Sequence, residues 1–172
     1  YPTALKICSN IIMHKMSMGG VALNLSSKKE VLEASETMAK NYFQKFGSGF
    51  SGNYLLEQMI NYKSEEYIIG AKKDAKMGLS IIFGKGGTNV ESIQDVQLLL
   101  CPIISTELKS VLENYNIKDG TLAHKKLKKM ILAVEDFATK NIKNFKSLDL
   151  NPVVIDKKHN VLALDALIIM EK

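Results

Sequence analysis

The sequence predicts a mixed α/β fold of the α+β kind, in which strands outnumber helices. Three observations lead there. Several short apolar segments follow one another with only turns between them. Just three stretches carry apolar residues at helical spacing. The order of the two types excludes a regular β-α-β alternation, which a wholly parallel sheet would need.

Thr3 to Cys8 reads as a strand with Lys6 set among apolar residues, and Val21 to Leu25 as a second short strand after the Met-rich stretch ending in Gly19-Gly20. Ser27 and Glu30 have capping-box spacing. With Val31, Ala34, Met38 and Tyr42 recurring behind them, they predict a helix. Gly47, Gly49 and Gly52 break the chain. Tyr54 to Ile60, Tyr67 to Ala71 and Leu79 to Phe83 are further strands, the last running into Gly84-Lys85-Gly86-Gly87. Val96 to Leu100 is apolar enough for a buried strand stopped by Pro102. Thr106 to Tyr115 and Thr121 to about Lys140 are helices. The longer one has its stripe at Leu122, Leu127, Ile131, Val134 and Ala138. Leu148 to Ile155 and Val161 to Ile169 predict a closing hairpin around Lys157-Lys158-His159-Asn160.

The 172 residues suffice for one domain or two small lobes. No apolar run approaches the ~20 residues of a bilayer span, so no membrane partner is expected. All 23 basic residues are lysines, at a formal net charge of +5. Without arginine there is no bidentate planar cation for guanine readout or for clamping a phosphoryl group, and without Trp no large stacking platform. Nucleic acid is therefore not an expected partner. Cys8 and Cys101 lie far apart and form no CxxC motif, which fits a reducing, cytoplasmic setting.

Five features could carry chemistry. Lys6 precedes the loop Met13-His14-Lys15-Met16-Ser17-Met18-Gly19-Gly20, where ammonium groups and free glycine N–H groups could cradle phosphate. A plain glycine turn would look the same. Glu57-Gln58 at a strand end, with Glu65-Glu66 before the next, could accept from an adenine amine or ribose hydroxyls, or could be solvated charges. Gly86-Gly87 suggests a special turn or close backbone approach to a ligand. Asn151 and Asp165 stand 14 residues apart on the two arms of the hairpin. Asp165 interrupts an apolar run, so burial there would require a partner or a metal. An amide oxygen and a carboxylate suit Mg²⁺, which takes one or two protein oxygens and fills its remaining positions with water and phosphate. His14, near the glycine pair, could accept a phosphoryl group or simply pack, whereas His124 and His159 read as surface residues.

Taken in order, Tyr-Pro-x-x-Leu-Lys (1–6), His-Lys-x-x-x-Gly-Gly-Val (14–21), Leu-Glu-Gln-Met (56–59), Glu-Tyr-Ile-Ile-Gly-Ala-Lys-Lys-Asp (66–74), Phe-Gly-Lys-Gly-Gly-x-x-Val-Glu (83–91), and Asp-Leu-Asn-Pro (149–152) with Leu-Asp-Ala (164–166) resemble one family. It is the ATP-grasp domain of ADP-forming acyl-CoA synthetases, related to the succinyl-CoA synthetase β subunit. The resemblance implies a smaller lobe over 1–52, a hinge strand and larger lobe over 54–172, and ATP or ADP with Mg²⁺ between them. It implies that Lys6 holds phosphates beneath a flexible Gly19-Gly20 loop. Glu57, Gln58 and Met59 would lie beside the adenine, Glu66 near the ribose, and Asn151 and Asp165 would be the Mg²⁺ ligands. His14 would relay a phosphoryl group between a phosphohistidine and ADP. CoA, acyl-CoA and that phosphohistidine would belong to a partner α domain or subunit. A second reading, a regulatory ATP-grasp module of a protein lysine acetyltransferase, implies nucleotide binding without ligase turnover. A third is a degenerate interaction domain that binds no nucleotide.

Overall fold

A computed structural model describes residues 1–9, 15–87 and 95–171. The chain divides into two compact units, Tyr1–Ile60 and Asn61–Lys172.

The first unit is a three-stranded antiparallel sheet with one helix. Strands β1 (Thr3–Cys8), β2 (Val21–Leu25) and β3 (Asn53–Gln58) take the order β2-β1-β3, and helix α1 spans Lys28–Phe46. As the capping-box spacing predicts, the Ser27 hydroxyl accepts from Glu30 N at 3.2 Å. Glu30 in return accepts from Ser26 N at 2.8 Å. One first-turn donor, Glu30 N, and the N–H just before the cap are thereby satisfied. Gly47 ends α1 at φ 68°, a left-handed cap that favours glycine. Of the predicted apolar stripe, Met38 and Tyr42 are buried with Leu5, Ile7 and Leu25, while Val31 and Ala34 pack at the margin. Strand β3 pairs with β1 along its whole length. The strand that the sequence assigns to the hinge and larger lobe thus sits in the N-terminal unit.

The second unit contains β4 (Tyr67–Asp74), β5 (Gly78–Lys85), β6 (Val96–Leu100), helices α2 (Ser105–Asn114) and α3 (Leu122–Lys140), then β7 (Phe145–Ile155), β8 (Val161–Ala163) and β9 (Ala166–Met170). The sheet order is β6-β5-β4-β7-β8, with β9 also paired to β7, and every pairing is antiparallel. Ile69, Ala71, Ile81, Phe83, Leu99 and Leu148 are buried with Leu108, Leu112, Leu127, Ile131, Val134 and Ala138 of the two helices. This alternation puts the helices on one sheet face. The cross-strand row Leu98, Ile82, Gly70, Asp149, Leu167 lies on the other.

Three expectations change. Strand β6 is half-exposed rather than buried, because among the described residues it pairs only with β5, and it shows Val96, Leu98 and Leu100 on the face without helices. The second hairpin arm is broken at Leu164-Asp165 into β8 and β9. His124 is buried, 4% exposed, rather than on the surface. The Thr121 cap turns the first residues of α3 inward, with Thr121 Oγ1 accepting from His124 N at 3.2 Å.

Candidate functional site

In the first unit, Lys6 emerges from the middle of β1 with its ammonium 2.5 Å from the Glu57 carboxylate on β3. The sequence expects both groups at a nucleotide, and the sheet brings them together. Gln58 closes β3, and Met59 N donates to Pro2 O at 3.1 Å, fixing the chain as it leaves the sheet. Gly19 has φ 64° and ends a 3₁₀ turn over Met16–Met18. Its N–H donates to Met16 O, and that of Gly20 to Lys15 O at 2.8 Å. Both glycine donors are therefore used inside a closed turn, which differs from the open cradle the sequence suggests. Ile7 N donates to Gly20 O at 2.8 Å, which fastens this turn beside Lys6. His14 lies outside the described residues.

In the second unit the glycine pair organises the site. Gly86 N donates to Glu66 O at 2.7 Å, and a Cβ on Gly86 would run into the Tyr67 backbone. Gly87 adopts φ 94°, and a Cβ there would meet the Glu66 carboxylate. Of the two meanings of a double glycine, the close approach here is to the chain's own Glu66-Tyr67 backbone. Glu66 is held from its other side by Tyr62, whose hydroxyl donates to Oε1 at 2.6 Å. Burial, reinforced by Glu66, pushes the Tyr62 phenol up to about 12, so it remains a donor at neutral pH.

Asn151 sits where β7 departs from regular pairing. Tyr67 faces Val153 and Ile69 faces Leu150, so Asn151 and Pro152 together stand opposite Ile68. Such a bulge re-aims a side chain, and Pro152 explains its place, having no N–H for the ladder. Asn151 Oδ1 accepts from Gly87 N at 2.8 Å, and Asn151 N donates to Asp165 O at 3.2 Å. Asn151 and Asp165 are thus neighbours, as the hairpin predicts. Asp165 lies at the break between β8 and β9 and is half-buried rather than engulfed in an apolar run. Its Oδ1 accepts from Ala166 N at 3.0 Å.

An amide oxygen on β7 and a carboxylate at the break between β8 and β9 are hard donors that fit Mg²⁺. Among the described residues no group of three or more His, Cys, Asp or Glu is assembled for an ion.

Asp149 is a further acid that the sequence assigns no role. It stands on β7, on the face opposite the helices, directly across the ladder from Gly70, and burial raises its pKa. It is the one charged residue from Leu148 to Ile155, a signal visible in the sequence. Tyr62 gave no such signal, because its role depends on where the chain turns before β4. Lys85, which also follows a glycine, is 3.5 Å from Asp95 and partly exposed.

Comparison with known proteins places the chain among known relatives. A family model described as an ATP-grasp domain matches residues 1–170. The chain is 31% identical to the 4-hydroxybutyrate–CoA ligase [ADP-forming] of Nitrosopumilus maritimus, over 92% of this chain and 24% of that protein. It is 28% identical to the acetate–CoA ligase [ADP-forming] I subunit beta of Pyrococcus furiosus, over 99% of this chain and 75% of the subunit. It therefore spans about a quarter of the first relative (24%) and three quarters of the second (75%). The dinucleotide-forming acetyl-coenzyme A synthetase 1 of Candidatus Korarchaeum cryptofilum, in complex with coenzyme A and Ca-AMPCP, superposes with a TM-score of 0.85 at 27% identity, covering 99% of this chain and 77% of that one. Another structure of that enzyme holds coenzyme A and Mg-AMPPCP, with its phosphohistidine segment pointing towards the nucleotide binding site (TM-score 0.76, 27% identity, 99% and 77% covered).

Proposed function

The chain belongs to the ATP-grasp domain family, and from that membership we propose that it is the nucleotide-binding part of an ADP-forming acyl-CoA ligase. The overall reaction is acyl-CoA + ADP + phosphate to carboxylate + CoA + ATP. This part carries the step from phosphohistidine to ADP. A β-phosphate oxygen of ADP forms the new P–O bond while the P–N bond breaks, and the imidazole leaves with the electron pair.

The observation that supports this reading most is the neighbouring placement of Asn151 and Asp165, an amide and a carboxylate joined through the main chain at a bulge. They would hold Mg²⁺, which when bound neutralises phosphate charge. Lys6 supplies a cation for the phosphates, and with no arginine in the chain the remaining charge falls to lysine, backbone N–H groups and the partner. Glu57, Gln58 and Met59 flank the base, Glu66 accepts from the ribose, and Gly19-Gly20 covers the phosphates after opening its turn. His14 is proposed as the relay histidine. The partner is a CoA-binding, phosphohistidine-bearing α domain or subunit, consistent with a beta-subunit relative and with the phosphohistidine segment in the archaeal synthetase. The setting is cytoplasmic, in keeping with the free thiols Cys8 and Cys101. Among the described residues, no helix is long and apolar enough to cross a membrane.

The test uses the complete protein with its α partner. Acetyl-CoA, ADP and phosphate should yield ATP and free thiol, and Asp165→Ala should abolish ATP formation. His14→Ala should block label transfer from phosphohistidine to ADP while ADP still binds. No nucleotide binding by the complete protein would overturn the reading. Unchanged turnover in His14→Ala would remove only the relay.

A further inference from the structure

We propose that Gly87 is a positioning residue for the metal-binding amide, and that its backbone N–H decides which atom Asn151 offers to a divalent cation. The inference rests on the reading of Asn151 and Asp165 as the Mg²⁺ site and deepens it.

An asparagine presents either an acceptor oxygen or a donor NH₂, and only the oxygen can bind a cation. At the β7 bulge nothing in regular sheet pairing fixes that choice. Gly87 N–H does, because it lies 2.8 Å from Oδ1 and can be met only by an acceptor. A carbonyl oxygen has two lone pairs, so Oδ1 can accept this bond and ligate a cation at the same time. Outer hydrogen bonds that orient a ligand in this way typically change metal affinity by roughly 10- to 100-fold when lost.

The donor is held in place by features that need glycine. Gly86 N binds Glu66 O, and a Cβ on Gly86 would strike the Tyr67 backbone, so the turn lies directly on the start of β4. Gly87 then turns through φ 94°, a region L-residues rarely adopt, with its Cα against the Glu66 carboxylate. Tyr62 anchors that carboxylate from the other side at 2.6 Å. An alanine at this position would strain the backbone and push on Glu66, moving the N–H away from Asn151.

The experiment measures calorimetric binding of ADP to the complete protein with its α partner, without divalent ions and across a Mg²⁺ titration. Gly87→Ala should raise the Mg²⁺ half-saturation roughly 10-fold or more. Because the new Cβ also meets the Glu66 carboxylate, Mg²⁺-free ADP affinity should fall no further in Gly87→Ala than in Glu66→Ala, which serves as its reference. Asn151→Ala should give a similar Mg²⁺ defect, and the double variant should be no worse than Asn151→Ala alone, because both remove one arrangement. Should Gly87→Ala fold poorly, Glu66→Ala with Gly87→Ala removes the carboxylate that the new Cβ would meet. It should show the Mg²⁺ defect that Glu66→Ala alone lacks. A normal Mg²⁺ response in Gly87→Ala, or additive defects, overturns the role of Gly87 while leaving the metal site intact. A normal response in Asn151→Ala overturns the metal site and this inference together.

Discussion

The Lys6 ammonium meets the Glu57 carboxylate at 2.5 Å, one diagonal step apart on the β1–β3 ladder. The lysine side chain is 12% exposed and the glutamate 38%, so the pair is partly shielded from solvent. A phosphate arriving at Lys6 shares it with a carboxylate already in place. Pyrophosphate isolates that effect from base recognition. Lys6→Met should weaken pyrophosphate binding about 10-fold, the worth of one charge-assisted hydrogen bond. Glu57→Gln should strengthen it about 3-fold, in line with a partly exposed ion pair. Equal affinity in Lys6→Met and the parent protein would exclude Lys6 from the phosphate site.

The larger sheet depends on Phe83, which is fully buried, stacks on Tyr67 at 5.5 Å and meets Tyr115 edge-on at 5.2 Å. Phe83→Ala should lower the unfolding free energy by about 3–5 kcal/mol in urea titration. Leu98→Ala on neighbouring β6, 46% exposed, should change it by less than about 1 kcal/mol. Similar losses at the two positions would contradict the assignment of the helix-covered face as the core.

Much of this was legible in the sequence, for identifiable reasons. Local chemistry sets the first turn of α1, so Ser27 and Glu30 announce it without tertiary help. The Asn151–Asp165 pairing follows from hairpin register, which a 14-residue spacing around a turn nearly fixes. Other features depend on what packs from elsewhere. The apolar run of β6 looks buried, but which strands end up at a sheet edge is a matter of topology, not composition. His124 in a lysine-rich segment looks solvated until the Thr121 cap sets the phase of α3. The closed hydrogen bonding of Gly19 and Gly20 is equally invisible, since the same dipeptide can leave its donors open.

Asp149 gives a pH test. Burial raises its folded-state pKa, so the ionised form is disfavoured in the fold. Between the unfolded and folded values the native state binds more protons, and stability falls as pH rises through that window. Asp149→Asn removes this dependence. Its melting temperature should exceed that of the parent at neutral pH, and the difference should vanish on acidification below the ordinary carboxylate range. A constant difference at all pH values would show that burial of the charge is not its source.

His124 gives a second stability test with the opposite expectation from most core substitutions. Its Nδ1 is 3.5 Å from Asp119, but Nε2 is buried with no hydrogen-bond partner among the described residues. An unsatisfied buried nitrogen costs about 1–3 kcal/mol, against little gained from so long a contact to a half-exposed aspartate. His124→Leu keeps the apolar bulk and removes the nitrogen. It should leave stability unchanged or raise it by about 1 kcal/mol in chemical denaturation. A loss of several kcal/mol would mean that the imidazole makes a contact worth more than its burial.

Tyr62 separates sugar recognition from folding. Its hydroxyl donates to Glu66 at 2.6 Å and keeps its proton, since burial and Glu66 push the phenol up to about 12. Glu66 is the acceptor proposed for the ribose, and Tyr62 holds one of its oxygens while Gly87 lies against the other. Tyr62→Phe keeps the ring and removes the hydrogen bond, which should lower stability by about 1 kcal/mol. The informative readout is the ratio of affinities for ADP and its 2′,3′-dideoxy analogue. If Tyr62 orients Glu66 towards the ribose, that ratio should fall about 3- to 10-fold in Tyr62→Phe. It should fall no further in the double variant with Glu66→Gln than in Glu66→Gln alone, because the two residues act as one arrangement. A hydroxyl that only stabilises the fold would lower the melting temperature and leave the ratio where it was.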